Sequence, residues 1–208
     1  MRALLVVDLQ NDFMPGGALA VTDGDMVVPV ANVLMPRFAL VVATQDWHPA
    51  SHGSFASNNP GHAVGDVIEL GGVSQVLWPD HCVQQAPGAS FHSALDIAGI
   101  DAVIRKGSDP AVDSYSAFFD NDGQTDTGLN ELLGSQGVDE LVIMGLATDY
   151  CVRWTVLDAI GLGYGVTVVT DGCRAVDVAP GDGEAALAEM HAAGARLTTS
   201  GQLDGPHV

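Results

Sequence analysis

Apolar residues along this chain gather in short continuous runs. ALLVV precedes Asp8, FALVVAT precedes Gln45, DAVIR precedes Lys106, ELVIMGL precedes Ala147 and GVTVVT precedes Asp171. The runs are rich in Val and Ile and do not alternate with polar residues. Such runs predict strands buried on both faces, as in a parallel sheet. Between them lie segments of helical character: MVVPVANVLMPR with Asp25 as its cap, GLNELLGSQG starting at Thr127, YCVRWTVLDAIGLG capped by Thr148 or Asp149, and GEAALAEMHAAG capped by Asp182. In the third, Val152, Val156, Ala159 and Ile160 share one helical face. Strand–helix alternation predicts a doubly wound α/β sheet. Residues 47–93 and 107–126 break the alternation with Gly, Ser, His and Pro, and loops that long in a compact domain are usually functional. No repeat or linker divides the chain, so residues 1–208 read as a single domain.

Composition changes the picture in three ways. Hydrophobic residues make up 47% of the chain and charged residues 16%, which supplies a core and argues against disorder. Acids outnumber Lys and Arg by 26 to 7, for a net charge of −19, and they are scattered. A surface of that sign repels nucleic acid and anionic membranes, so neither is an expected partner. No apolar run is long enough for a membrane span, and MRALLVVDLQ lacks the basic start and cleavage site of a signal segment. Three cysteines, an odd number without CxxC spacing, predict a reducing, cytoplasmic setting.

In open α/β sheets ligands bind at the carboxyl ends of the strands. The polar residues at those ends are Asp8, Asp46, Lys106 and Asp171, with Cys151 just after the fourth run. Lys106 is the only lysine. At a strand end it supplies a fixed positive charge for a carboxylate or thiolate, where an ordinary lysine would merely solubilise. Cys151 opens a predicted helix, where the dipole is expected to lower a thiol pKa. Cys82, beside His81, competes for the role of nucleophile, and Cys173 reads as a small buried hydrophobe. Asp8 is placed to take a thiol proton. A third constellation is DWHPASH followed by WPDHC. Asp46, His48 and His81 form a one-carboxylate, two-histidine set suited to a divalent cation. His52 is a candidate fourth ligand, and His62 and His92 read as loop histidines.

LLVVDLQNDF, VVATQDWHP, HGSFASN, LWPDHCVQ, GASFH, the lone Lys106, and GLATDYCVRWTVLDA followed by VTDGCRAV resemble the nicotinamidases, members of the isochorismatase-like cysteine hydrolases. The resemblance runs from about residue 3 to 177. It implies a six-stranded parallel sheet with helices on both faces. It implies an Asp8–Lys106–Cys151 triad, which decides against Cys82. It implies one divalent metal ion on Asp46, His48 and His81, zinc by preference, with iron or manganese sharing the donor chemistry. It also implies a cis peptide at Leu146–Ala147, an oxyanion hole from the Ala147 and Cys151 amides, and a ring-binding wall of Phe13, Trp78 and Tyr115. The reaction implied is hydrolysis of nicotinamide to nicotinate and ammonia through a thioester, in NAD salvage. Another small amide or carbamoyl compound is the alternative substrate. An isochorismatase proper cleaves a vinyl ether without thiol or metal, and a non-catalytic metal-binding relative would be free to lose Cys151 or Lys106. The sequence is compatible with a homo-oligomer.

Overall fold

The computed structural model describes residues 1–204. Its strands are β1 (Arg2–Val7), β2 (Val41–Asp46), β3 (Val67–Leu70), β4 (Val73–Val76), β5 (Ala102–Lys106), β6 (Glu140–Leu146), β7 (Gly165–Arg174) and β8 (Arg196–Thr198). Six of them form one sheet in the order β5-β2-β1-β6-β7-β8, and every ladder in it is parallel. This is the doubly wound α/β sheet that the alternation predicts. From β1 the chain moves outward through β2 to β5, then returns to β6 on the other side of β1. The order therefore reverses between β1 and β6, and that reversal opens a crevice at the carboxyl ends of the strands.

The burial expected of the runs holds at the centre. Ala3, Leu4, Leu5, Val6 and Val7 have no exposed surface, and Leu141–Leu146 is buried throughout. It fails at β5, which alternates between half-buried and exposed residues and leaves Val103 44% exposed. β5 is one of the sheet's two edge strands, with β2 as its one neighbour, and the face that carries Val103 and Arg105 meets solvent.

Among the described residues the α-helices are α1 (Val27–Leu34), α2 (Leu129–Ser135), α3 (Arg153–Gly161) and α4 (Asp182–Ala193). α1 packs on β6 and β7, α3 on β7 and α4, and α4 on β8. α1 is shorter than the sequence suggests. Pro36 lacks an N–H and restricts the residue before it, so residues 35–37 tighten into a 3-10 turn. Three of the expected caps do other work. Asp25 lies inside a 3-10 turn, Asp149 accepts bonds from the Val176 and Asp177 amides, and Asp182 is the first residue of α4, accepting from Ala179 N. Thr127 Oγ1 does accept the Leu129 amide at the start of α2.

The long stretch 47–93 contains one regular element that the apolar runs do not reveal. β3 and β4 form an antiparallel hairpin closed by Gly71 and Gly72, both at positive φ. A two-glycine turn between alternating segments was the signal available for it. Among the described residues, no helix is long and apolar enough to cross a membrane.

Candidate active site

Asp8 is the residue after β1 and has φ of 51°, a left-handed conformation that Asp tolerates better than most residues. Thr44 of β2 holds it twice: Thr44 Oγ1 accepts from Asp8 N at 3.1 Å and donates to Asp8 Oδ1 at 2.6 Å. Asp46 and Lys106 end β2 and β5 and are direct partners in the parallel register. Lys106 is fully buried. Its Nζ lies 2.9 Å from Asp8 Oδ2, touches Asp46 Oδ1, and sits 3.4 Å from Cys151 Sγ. Asp8 Oδ2 accepts no well-angled hydrogen bond, so a lone pair is left for a proton.

Cys151 lies within a single π-helical turn, Thr148–Val152, between β6 and α3. The peptide bond Leu146–Ala147 is cis, as the resemblance implies. The Ala147 carbonyl accepts the Tyr150 and Val152 amides and so wraps the turn around the thiol. β6 can reach this turn because Gly145, at φ of 130°, lies against β1, where a Cβ would collide with the Val7 backbone.

Charge in this cluster is strongly redistributed. Burial would neutralise Lys106, but Asp46 and Asp8 hold its pKa well above the ordinary lysine value. Burial pushes the Asp8 carboxyl up, and Lys106 only partly opposes it. Burial would raise Asp46 too, but Lys106, His48 and His81 hold it well below the usual carboxylate range. The Cys151 thiol is pushed well up by burial, with Lys106 opposing and Asp8 and Asp46 adding to the rise. This corrects the expectation of a thiol lowered by a helix dipole. Cys151 is enclosed in a π turn beside two carboxylates, and burial outweighs the Lys106 charge there. Cys82 is fully buried and also pushed up, first by burial and then by Asp46 and Asp8. Asp171 is not brought to this cluster. It lies inside β7, which runs on to Arg174, and its carboxylate accepts the Ser200 amide and hydroxyl.

Asp46, His48 and His81 offer ligand atoms that all lie within 4.8 Å of one another. His48 Nδ1 faces the Gly107 carbonyl at 2.8 Å, and His81 Nδ1 faces the Pro79 carbonyl at 2.8 Å. A carbonyl only accepts, so each Nδ1 carries a proton, and each Nε2 is the ring nitrogen left to face Asp46 and a cation. Those Nε2 atoms lie 3.7 and 3.9 Å from Asp46 Oδ2. Histidines oriented by carbonyls behind them, facing one carboxylate, fit a divalent cation. The His81 pKa is lowered to about 4 by burial and then by His48, which keeps the ring neutral. Gly107 permits the approach, since a Cβ there would enter the His48 ring. His52 stands behind His48, 4.4 Å between ring centroids, with Nδ1 on Ser54, and groups with His48 and Asp113 rather than with His81. His62 is a loop histidine paired with Asp66, and His92 accepts the Ala94 amide.

A narrow cavity joins the thiol to the histidines. Phe13, Trp78, Tyr115, Ala147 and Cys151 line it together with Asp46, His48 and His81. Sequence reasoning missed Tyr150, whose ring meets Trp78 edge-on at 5.0 Å and Tyr115 at 5.6 Å. Its position beside Cys151 was the available signal. It also missed Gln10, whose amide accepts Asp46 N and donates to Asp46 O, both at 2.8 Å.

Residues 2–202 match the family profile described as Isochorismatase domain. The nicotinamidase of Escherichia coli (strain K12) is 55% identical over 204 residues, which cover 95% of this chain and 94% of that protein. A solved Acinetobacter baumanii nicotinamidase/pyrazinamidase superposes with a TM-score of 0.94 at 46% identity, covering 98% of each chain. A Pyrococcus horikoshii pyrazinamidase solved in complex with zinc superposes with a TM-score of 0.77 at 39% identity, covering 95% of this chain and 98% of that one.

Proposed function

The chain belongs to the isochorismatase family, and from that premise we propose that it hydrolyses nicotinamide to nicotinate and ammonia in NAD salvage. The observation that carries this reading is the single buried ammonium of Lys106, which lies against both the Asp8 carboxylate and the Cys151 thiol. That arrangement suits a base-activated thiol nucleophile.

Cys151 attacks the carboxamide carbon while its proton passes to Asp8. Lys106 keeps Asp8 in place and offsets the negative charge that moves between carboxylate and sulfur. The amides of Ala147 and Cys151 receive the oxyanion, a role worth ~10²–10³ in rate for one donor. Collapse of the tetrahedral adduct breaks the C–N bond, and Asp8 returns its proton to the departing nitrogen, which leaves as ammonia. Water then attacks the thioester. Its proton passes through Asp8 to sulfur, which regenerates the thiol and releases nicotinate. Phe13, Trp78 and Tyr115 form the wall for the pyridine ring.

Asp46, His48 and His81 would hold one divalent ion, for which zinc is our proposal and iron or manganese have compatible donor preferences. Such an ion supplies a Lewis-acid site for the ring nitrogen or for water. Chain residues 1–208 act as one domain in this reading, in the reducing cytoplasm that suits its three unpaired buried thiols. Its partner is a small molecule and not nucleic acid.

The test is ammonia release from nicotinamide by purified protein, with metal content measured on the same sample. Stoichiometric nicotinate and ammonia are expected. Absence of both from folded, metal-loaded protein overturns the reading. Faster turnover of another small amide or a carbamoyl compound would move the assignment to that substrate.

A further inference from the structure

The ring wall of the cavity is held from behind by one buried amide. Gln75 lies in β4, the strand of the unexpected hairpin, and is 1% exposed. Its Nε2 lies 2.9 Å from Asp113 Oδ2, 2.9 Å from the Tyr115 hydroxyl and 2.7 Å from the Val76 carbonyl. Its Oε1 accepts from Asn121 Nδ2 at 3.2 Å. These contacts fix the orientation of the amide, because the reverse orientation would set an oxygen against a carboxylate and a carbonyl. The Tyr115 hydroxyl also accepts from Trp78 Nε1 at 3.0 Å. Gln75 thus reaches both aromatic side chains, Tyr115 directly and Trp78 through the Tyr115 oxygen. Asn121 completes the frame by accepting the Tyr115 amide at 2.9 Å. Asp113, which also borders the cavity, is 2% exposed and pairs with no cation among the described residues. Its carboxylate accepts from Ser114 N and from Gln75.

We propose that Gln75 is a positioning residue for ring binding: its buried amide sets the Tyr115 hydroxyl and, through it, the Trp78 ring against the substrate pocket. The inference deepens the proposed function and rests on it. An amide suits this place because it can donate to a carboxylate and a hydroxyl while accepting on its other side. Neither an apolar residue nor a carboxylate of the same size does both. The hydrogen bonds of Gln75 run to Val76, Asp113, Tyr115 and Asn121 and not to Lys106, Asp8 or Cys151, so its loss should weaken ring binding and leave thiol chemistry in place.

The experiment uses Gln75→Met, which keeps the volume and removes the hydrogen bonds, alone and combined with Tyr115→Phe. For Gln75→Met we expect KM for nicotinamide to rise about tenfold while kcat stays within about threefold, the signature of lost binding shared by ground and transition states. Nicotinate binding, followed by tryptophan fluorescence, should weaken by a similar factor. The rate of Cys151 alkylation by iodoacetamide should not change. In the double variant the KM increase should not exceed that of the more affected single variant, because both changes break one network. Unchanged KM in Gln75→Met, effects that multiply independently with Tyr115→Phe, or a fall in kcat alone would each overturn the proposal. If Gln75→Met does not fold, Asn121→Ala tests the same frame from its half-buried end, with KM expected to rise about threefold and an unchanged KM counting against it. Wild-type protein that releases no ammonia from nicotinamide would instead overturn the proposed function, a result distinguishable from any variant's.

Discussion

The two halves of the site are built by different means. Asp8, Asp46 and Lys106 stand at the ends of adjacent parallel strands, and the ladders that order β1, β2 and β5 also place these side chains. His48, Trp78 and His81 come from the long irregular stretch after β2, where little ladder is available. There the backbone is held by amide side chains, half-buried at Asn59 and Gln84 and exposed at Asn58. Gln84 Nε2 donates to the Trp47 carbonyl, Asn59 Nδ2 to the Gly53 and Phe55 carbonyls, and Asn58 Nδ2 to the Ala50 and His52 carbonyls. Regular structure satisfies its own backbone groups, whereas a loop that carries function must satisfy them with side chains. Asp46 joins the halves, with one oxygen on Lys106 and the other facing both histidines.

Removing the thiol that the strand-borne half faces should have the largest effect. Cys151→Ala is expected to lower turnover by about 10⁴-fold or more while circular dichroism and metal content stay unchanged, since removing a nucleophile leaves only binding and oxyanion stabilisation. Near-normal turnover in Cys151→Ala together with loss in Cys82→Ala would transfer the nucleophile to the other thiol. Breaking the loop-borne half should be milder and of a different kind. His81→Ala is expected to weaken metal binding about tenfold or more, as oriented ligand sets generally respond, and to weaken nicotinamide binding with it. Benzamide, which lacks the ring nitrogen, should depend less on the ion. Equal metal dependence of the two amides would show that the ion does not serve the ring nitrogen.

Two further substitutions sharpen the comparison through stability. Asn59→Leu removes donors from two carbonyls and should cost about 1–2 kcal/mol in urea unfolding, without altering the rate of Cys151 alkylation. A stability loss accompanied by slower alkylation would mean that the loop also shapes the thiol site. Val103→Thr, on the half-exposed edge strand β5, should stay within about 0.5 kcal/mol of wild type. A larger loss there would show that the exposed face of β5 is covered in solution.

Much of the site is legible without coordinates because its chemistry sits where apolar runs end. A run such as ALLVV specifies a buried strand, and the first charge after it marks the strand's carboxyl end. In that way Asp8, Asp46 and Lys106 emerge from local pattern alone, and the unusual count of one lysine adds weight to the last. The glycine pair at 71–72 marked a hairpin equally well, but it lay in a region where the continuous-run signal is silent.

Asp171 shows where this reasoning stops: it too follows an apolar run, yet β7 continues past it and Ser200 occupies its carboxylate. Periodicity and motif spacing determined the layer architecture and the candidate residues at the strand ends, and the family resemblance selected the proposed triad and ligand set among them. They could not determine the Gln10 clamp on Asp46, the Thr44 clamp on Asp8, the Gln75 frame or the raised Cys151 thiol. Each of those depends on partners drawn from separate segments, 36 to 45 residues apart for the closest pairings with Asp46, Asp8, Asp113, Tyr115 and Lys106. Local sequence encodes which face of an element is apolar. Hydrogen-bond geometry and the dielectric environment of a charge are set only when distant elements pack and exclude water.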